Sequence, residues 1–277
     1  MKILVPIKRV ADPDNADKIS IAADGSAILS EGLEWKINPY DEYALEAALR
    51  LNENGATKER IGEITVACLG PSDSTQTLRQ ALAMGADRGI LVECDDMALD
   101  SWSCAHALKA LVAKEEPDLV LMGKITVDSD SNAVGQTLAE LLQWPMATMA
   151  MHIRKQSDTQ LQVGRETDLG ILSLQLSLPA IITAADRIIH PESVKNGLTP
   201  DDFRYPEAEG GRYASLKGIM AAKKKSIDTM QLSDLGDSAA LTQYVSFAKP
   251  PTRSGTTVFV QSADELVQKL RQDAKVL

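Results

Sequence analysis

The sequence predicts a doubly wound α/β fold with a mostly parallel, Rossmann-like sheet, on three observations. Short apolar runs recur at residues 3–7, 64–69, 90–92, 119–122 and 181–183. A helix-like stretch separates each of the first four from the next. The 277 residues suffice for one large α/β domain or two ordinary ones, either able to bury a full core. Strands joined by helical crossovers of this length run parallel, connect right-handedly and are covered on both faces.

The elements follow in order. KILVPI enters the first strand directly, with neither a charged region leading to a long apolar stretch nor an Arg/Ser-rich presequence. The first helix is expected from Pro39, whose ring suits a first helical position, with Tyr43, Ala47 and Leu51 on one face and a stop at Gly55. STQTLRQALAMGAD starts at a Ser/Asp-rich cap and ends at Gly85, and SWSCAHALKALVAKEE is closed by Pro117. A fourth helix, from about Asn132, stops before Pro145 because a residue preceding proline is pushed out of the helical region. Beyond Pro145, alternating segments at 149–154, 160–166 and 171–176 predict antiparallel strands added to the sheet.

Residues 189–211 are polar, rich in Pro and Gly and without a clear period, so they read as a functional loop or a disordered one. After Gln231 come a turn at SDLGDS, the passage KPPTRSG and a short helix, SADELVQKLRQ, with Ser262 as N-cap and Glu265 completing a capping box. The expected organisation is an α/β nucleotide-binding domain over 1–230 and a C-terminal arm over 231–277. The arm's apolar helix face needs another surface to lie on.

Composition excludes several classes. Hydrophobic residues make up 44% and charged residues 25%, and no apolar run reaches the roughly 18 residues of a membrane span, so neither a membrane protein nor a disordered chain is expected. A net charge of −10 disfavours a nucleic-acid partner. Cys68, Cys94 and Cys104 are odd in number and form no CxxC pair, which predicts a reducing, cytoplasmic setting. Aromatic residues are only 4%, so a bound nucleotide would be held through backbone and small polar groups.

In a doubly wound sheet the ligand crevice lies beyond the carboxyl ends of the strands. PIKRVADPDN, CLGPSDS and GKITVDSDSNAVGQ all arrive there. The last runs from a strand into a helix, whose free N–H groups make a phosphate seat, although an ordinary Ser/Asp helix cap accounts for the same residues. There is no GxGxxG after the first strand and no GxxxxGK[ST]. His106, His152 and His190 are far apart, and no cysteine has an activating base nearby in sequence, so no metal site, nucleophile or other catalytic residue is nominated. Lys223, Lys224 and Lys225 follow RYASLKGIMAA, where Leu216, Ile219 and Met220 stand at helical spacing: a solvated charged face or an apolar anchor for a partner.

Taken together, KRVADPDNADKI, INPYDEYALEAALRL, TLRQALAMGADRGI, PDLVLMGKITVDSDSNAVGQ, LPAIITA and RYASLKGIMAAKKK resemble the β subunit of electron transfer flavoproteins, in order and over most of the chain. The resemblance implies one half of an αβ heterodimer. It would carry electrons from a flavoprotein dehydrogenase to a membrane quinone reductase or another acceptor, as a carrier rather than an enzyme. It implies FAD held mainly by the α subunit, and a structural AMP in this chain. Carried over, the AMP pocket comprises Pro6, Asn38, Pro39, Tyr40, Asp41, Leu69, Gly123, Lys124, Ile125, Thr126, Val127, Asp128, Ser129, Asp130, Ser131, Asn132, Ala133 and Val134. The turn at 12–15 would approach the flavin without an aromatic. Arg212, Tyr213, Leu216, Ile219 and Met220 would form a docking segment for the dehydrogenase within 212–225, with Leu216 as its anchor, and the arm would wrap the α subunit.

The chain departs from the family pattern at four places. Val134 replaces a Thr common in AMP-binding relatives and matches relatives that bind a second FAD, while Asn132, Gly135 and Gln136 keep the AMP pattern. Pro6 and Leu69 replace smaller or thiol-bearing residues. VGRETDLG carries Leu169 in place of a glycine, and residues 192–211 read as an insertion, as in a diverged bacterial-type paralogue. The alternatives are a bifurcating-type subunit with a second FAD in place of AMP, and a free-standing nucleotide-binding stress or sensor protein, against which the arm and docking segment argue.

Overall fold

The structure is a computed structural model that describes every residue except 237, 238, 252–254 and 256. β1 (Lys2–Pro6) leads into β2 (Arg9–Ala11), a small ladder of β3 (Ser20–Ile21) with β4 (Ile28–Leu29), and β5 (Trp35–Ile37), which pairs antiparallel with β2. α1 (Pro39–Asn52) precedes β6 (Glu63–Gly70), α2 (Thr75–Met84) precedes β7 (Arg88–Glu93), and α3 (Ser101–Glu115) precedes β8 (Leu119–Gly123). Then come α4 (Val134–Leu142), β9 (Met146–Lys155), β10 (Gln160–Thr167), β11 (Gly170–Ser177), β12 (Ala180–Ala184) and β13 (Val194–Lys195). α5 (Leu216–Ala222), β14 (Ile227–Gln231) and α6 (Ala263–Gln272) complete the order.

Ten strands form one sheet in the order β11-β10-β9-β12-β8-β1-β6-β7-β14, with β13 beside β9. β1 pairs parallel with both β6 and β8, so the chain builds outward to one side through β6 and β7 and then returns to the other through β8. That reversal opens a crevice at the carboxyl ends of β1 and β8.

Successive strand residues point to opposite faces, and both faces are apolar because both are covered. Ile3, Val5, Ile64, Val66, Leu119 and Leu121 pack with Ala44, Leu45, Ala48 and Leu49 of α1 and with Leu78 and Leu82 of α2. The alternate residues Leu4, Ala67, Ile90, Val92 and Val120 pack with Ala105, Leu108, Leu111 and Val112 of α3 and with Leu138 of α4. Each buried Val, Leu or Ile among them contributes roughly 1.5–3 kcal/mol by leaving water, so the two layers dominate the fold's stability.

Several boundaries differ from the sequence reading. α1 ends at Asn52, before Gly55, and α4 starts at Val134, because Asp130 (φ 50°) and Asn132 (φ 47°) adopt left-handed backbone that interrupts a helix there. β9 starts at Met146 and joins β12 in parallel, and within this sheet β10 runs antiparallel to both β9 and β11.

Residues 189–211, read as a functional or disordered loop, are built into the α/β unit. Val194 and Lys195 pair with β9, and Asn196 is buried at the end of α1. Its Nδ2 donates to the carbonyls of Arg50 (2.7 Å) and Glu53 (2.6 Å), while its Oδ1 accepts from the Leu198 and Thr199 N–H groups. A side-chain amide thus satisfies carbonyls that the helix end leaves open. No local period announces this, because the partners lie more than 140 residues away in sequence.

The chain divides into two compact units, 1–20 with 29–245, and 21–28 with 246–277. Residues 232–245, expected in the arm, group with the α/β unit, where Leu232 and Leu235 pack against the α3 layer and the Leu241 and Thr242 N–H groups donate to Asp100. Of the turn at SDLGDS and the passage KPPTRSG, residues 237, 238 and 252–254 lie outside the described residues. Within the second unit, Phe247 N–H donates to the Gly25 carbonyl at 2.8 Å. Ser262 caps α6 as expected, its Oγ accepting from Glu265 N–H (3.2 Å), but Glu265 does not complete the expected capping box, because its Oε2 accepts from the N–H of Gln261 (2.8 Å), one residue before the cap.

Candidate functional site

A cavity of about 340 Å³ lies where the carboxyl ends of β1, β6 and β8 meet the starts of α3 and α4. It is at the small end of the range for ligand sites. Pro6, Ala67, Leu69, Leu99, Leu108 and Met122 give it an apolar lining. Lys8, Asp96, Asp100, Ser101, Thr126, Ser129, Ser131 and Asn132 give it a polar rim.

Two buried side chains at the start of α1 fix the strand ends. Asp41 accepts from Lys8 N–H (2.8 Å) through Oδ2 and from Gly123 N–H (3.0 Å) through Oδ1, tying the chain after β1 to the end of β8. Burial pushes the Asp41 carboxyl up to about 7, against the lowering effect of those two N–H groups. Asn38 donates to the Ile125 carbonyl (2.9 Å) and accepts from Val127 N–H (3.1 Å), clamping the loop that leaves β8. Gly123 is required by this closeness: a Cβ there would lie 2.5 Å from Asp41 Oδ1 and 2.7 Å from Tyr40 Cβ.

The loop from 126 to 132 turns back on itself, with Thr126 and Ser129 hydroxyls 3.0 Å apart and the Thr126 carbonyl accepting from Asp130 N–H. It delivers the chain to α4, whose N-cap residue, Ala133, offers no side-chain acceptor. The first amides of that nine-residue helix therefore lack a capping side chain on a cavity that Ala133, Val134 and Gly135 line. A small phosphate with its sugar hydroxyls matches such a rim, and a heterocycle matches the apolar lining. Lys8, on the cavity rim, is paired with Asp128 of this loop at 2.6 Å.

One wall comes from far along the chain. Asp100 caps α3 by accepting from Ser103 N–H (2.9 Å), and its other oxygen accepts from Leu241 N–H (2.7 Å), Thr242 N–H (2.9 Å) and Thr242 Oγ1 (3.1 Å). Burial raises its carboxyl, but these donors outweigh burial and hold it far below the usual carboxylate range. The strap so held brings Thr242 and Tyr244 to the cavity.

Of the residues expected from the sequence, Pro6, Asp41, Leu69, Gly123, Lys124, Ile125, Thr126, Ser129, Ser131, Asn132, Ala133 and Val134 line this cavity. Asn38, Pro39, Tyr40, Val127, Asp128 and Asp130 do not, and Asn38 and Tyr40 stand behind the wall they support. Of CLGPSDS, only Leu69 reaches the cavity; the segment after β7 supplies Asp96, Leu99, Asp100 and Ser101 instead. Asp100 and Ser101 carry a signal in sequence, a helix cap at a strand's carboxyl end, whereas Thr242 and Tyr244 carry none.

In the expected docking segment, Tyr213 is 98% and Leu216 78% exposed, and Ile219 and Met220 are also exposed. Arg212 faces inward, onto Glu46 and Glu53. The lysine block splits likewise: Lys223 and Lys224 are exposed, while Lys225 Nζ donates to the Leu82 and Ala86 carbonyls. Cys68, Cys94 and Cys104 are free thiols, and burial pushes them up to about 12, 11 and 11. Among the described residues no group of three His, Cys, Asp or Glu could hold a metal ion, and no helix is long and apolar enough to cross a membrane.

Comparison with known proteins bears on what this cavity serves. The family model described as the electron transfer flavoprotein domain matches residues 26–235. The chain is 37% identical over 278 residues to the electron transfer flavoprotein subunit beta of Bradyrhizobium diazoefficiens, covering 100% of both chains. It is 39% identical over 279 residues to the mitochondrial electron transfer flavoprotein subunit beta of Arabidopsis thaliana, again covering 100% of both. With the subunit beta of Homo sapiens it shares 38% identity over 280 residues, covering 100% of this chain and 99% of that one. The strand-end cavity therefore belongs to a member of the electron transfer flavoprotein family, and the chain is one of that family's β subunits.

Proposed function

We propose that this β subunit holds AMP in the strand-end cavity as a structural ligand and pairs with an electron transfer flavoprotein α subunit that holds most of the FAD. Membership of the family makes the chain an electron carrier rather than an enzyme. In our reading it takes electrons from a flavoprotein dehydrogenase and passes them to a membrane quinone reductase or a similar acceptor. FAD supplies the redox chemistry, and the protein supplies position and surroundings.

The observation that carries the AMP reading is the uncapped start of α4 opening on a cavity of about 340 Å³ with an apolar lining. Backbone amides and the Thr126, Ser129 and Ser131 hydroxyls suit phosphate and ribose. Ala67, Leu69, Leu99 and Met122 suit adenine without aromatic stacking. A second reading, FAD in the same cavity, draws on Val134, which lines it where a hydroxyl-bearing residue is common in AMP-binding relatives. Three free thiols accord with a cytoplasmic location.

Acid extraction of the purified complex, followed by chromatography, tests the assignment. One FAD and one AMP per heterodimer is the expected result; two FAD and no AMP would replace it with the second reading. An isolated chain that turns over ATP would sink both.

A further inference from the structure

The segment that the resemblance marks for docking is held at both ends by partly buried polar contacts, while its middle faces solvent. At its start, Arg212 grips two carboxylates that are 3% and 2% exposed. Its Nε donates to Glu46 Oε2 (2.6 Å), and its Nη2 and Nη1 donate to Glu53 Oε1 (2.6 Å) and Oε2 (2.9 Å). Arg50 completes a set of two cations and two anions, donating to Glu46 (2.7 Å) and lying 4.3 Å from the Tyr205 ring centre, while Tyr205 Oη donates to Glu53 (3.3 Å). At the segment's end, Arg79 of α2 donates to the Ala222 and Lys225 carbonyls, both at 2.6 Å, and Lys225 donates back to the Leu82 and Ala86 carbonyls. Between the two ends α5 lies flush on α2, since a Cβ at Gly218 would sit 2.5 Å from the Ala83 carbonyl oxygen.

A bidentate, charge-balanced network around two buried carboxylates has one good arrangement, and withdrawing Arg212 leaves buried negative charge underpaired. The segment therefore cannot swing outward without breaking one end. An interface element already ordered loses little further conformational freedom on association. We propose that Arg212 with Glu46 and Glu53 at one end, and Arg79 with Lys225 at the other, are positioning residues that hold the docking segment in its binding geometry before a partner arrives. Capture is then a rigid-body event. Residues 192–211 find a role here, since Tyr205 belongs to the network. The proposal rests on the docking reading, but its structural half is measurable without any partner.

The test uses the complete heterodimer with the double variant Arg212→Gln/Glu53→Gln, which removes one charge of each sign, and separately with Arg79→Gln. Amide exchange of residues 213–222 should accelerate at least about tenfold in each variant, as 1.4 kcal/mol of lost ordering would give, and trypsin should cut sooner after Lys217. Amides of α1 near Leu45 and Leu49 should keep their protection. The KM for a flavoprotein dehydrogenase that reduces the wild-type heterodimer should rise several-fold, with little change in kcat. Unchanged exchange at 213–222, or faster exchange spread evenly over the chain, overturns the proposal. If the double variant does not fold, Arg79→Gln and Tyr205→Phe decide it by the same readouts. Leu216→Ala separates the two ideas: it should raise KM without altering exchange. If its KM is that of wild type, the docking reading falls, while the exchange data still judge the clamp.

Discussion

Asp41 makes the stability of this protein depend on pH in an unusual direction. Its carboxyl is buried, accepts two backbone N–H groups and is pushed up to about 7 from an ordinary 3.8. Between roughly pH 4 and pH 7 the folded state keeps a proton that the unfolded chain releases, so rising pH favours unfolding across that window. At ~1.36 kcal/mol per unit, the shift corresponds to roughly 4 kcal/mol lost from Asp41 as pH climbs through it. Asp41→Asn cannot titrate, but its amide oxygen faces two N–H donors with only one acceptor atom, which costs about 1–3 kcal/mol for the donor left over. The variant should be the less stable protein near pH 4, and the gap should close or invert by pH 8. Urea unfolding of both proteins across pH 4–8, followed by far-UV circular dichroism, reads the difference directly. Parallel stability curves for the two would refute the argument that burial outweighs the N–H groups at this carboxyl.

Three further outcomes are expected. Gly123→Ala places a methyl against Asp41 Oδ1 and Tyr40 Cβ, so it should destabilise by about 1–3 kcal/mol and lower the nucleotide retained on purification, both measurable by thermal melts and extraction. Asp100→Ala removes the α3 cap, worth about 0.5–2 kcal/mol, and frees Leu241 and Thr242, so amide exchange at those two residues should accelerate. Because its donors hold the Asp100 carboxyl below the ordinary range, its stabilisation is complete above the unfolded-state value and is lost only as pH falls below it; protection at 241–242 should therefore persist at pH 5. Val134→Thr adds a hydroxyl at the first residue of α4, on the cavity wall, and should slow AMP release about fivefold, as ~1 kcal/mol from one hydrogen bond would give; competition with labelled AMP measures it.

Individual residues show how much of the site could be read ahead of the structure. Gly123 to Val134 stood out because a strand, a polar turn and a helix start are all local patterns, and most of that stretch lines the cavity. The resemblance implies Asn38 and Asp41 as lining residues, yet Asn38 acts from behind by holding the Ile125 carbonyl and the Val127 N–H. That distinction depends on where α1 sits against β8, which no local pattern encodes. Arg212 is the sharpest case. The resemblance implies it as a member of the docking segment, whereas in the folded chain it is turned onto two carboxylates, one in α1 and one on the residue that follows it.

The sequence by itself determined the alternation of strands and helices, the two-faced burial of the sheet and the helix ends at Gly85 and Glu115, because these follow from periodicity and from residues acting within a few positions of themselves. Only the tertiary structure decided that Thr242 and Tyr244 wall the cavity, that Asn196 caps α1, and that β14 extends the sheet beside β7. Each of those contacts joins groups more than 130 residues apart. Their partners are chosen by which unsatisfied donors and acceptors the packed layers bring together, a choice that exists only once the layers have formed.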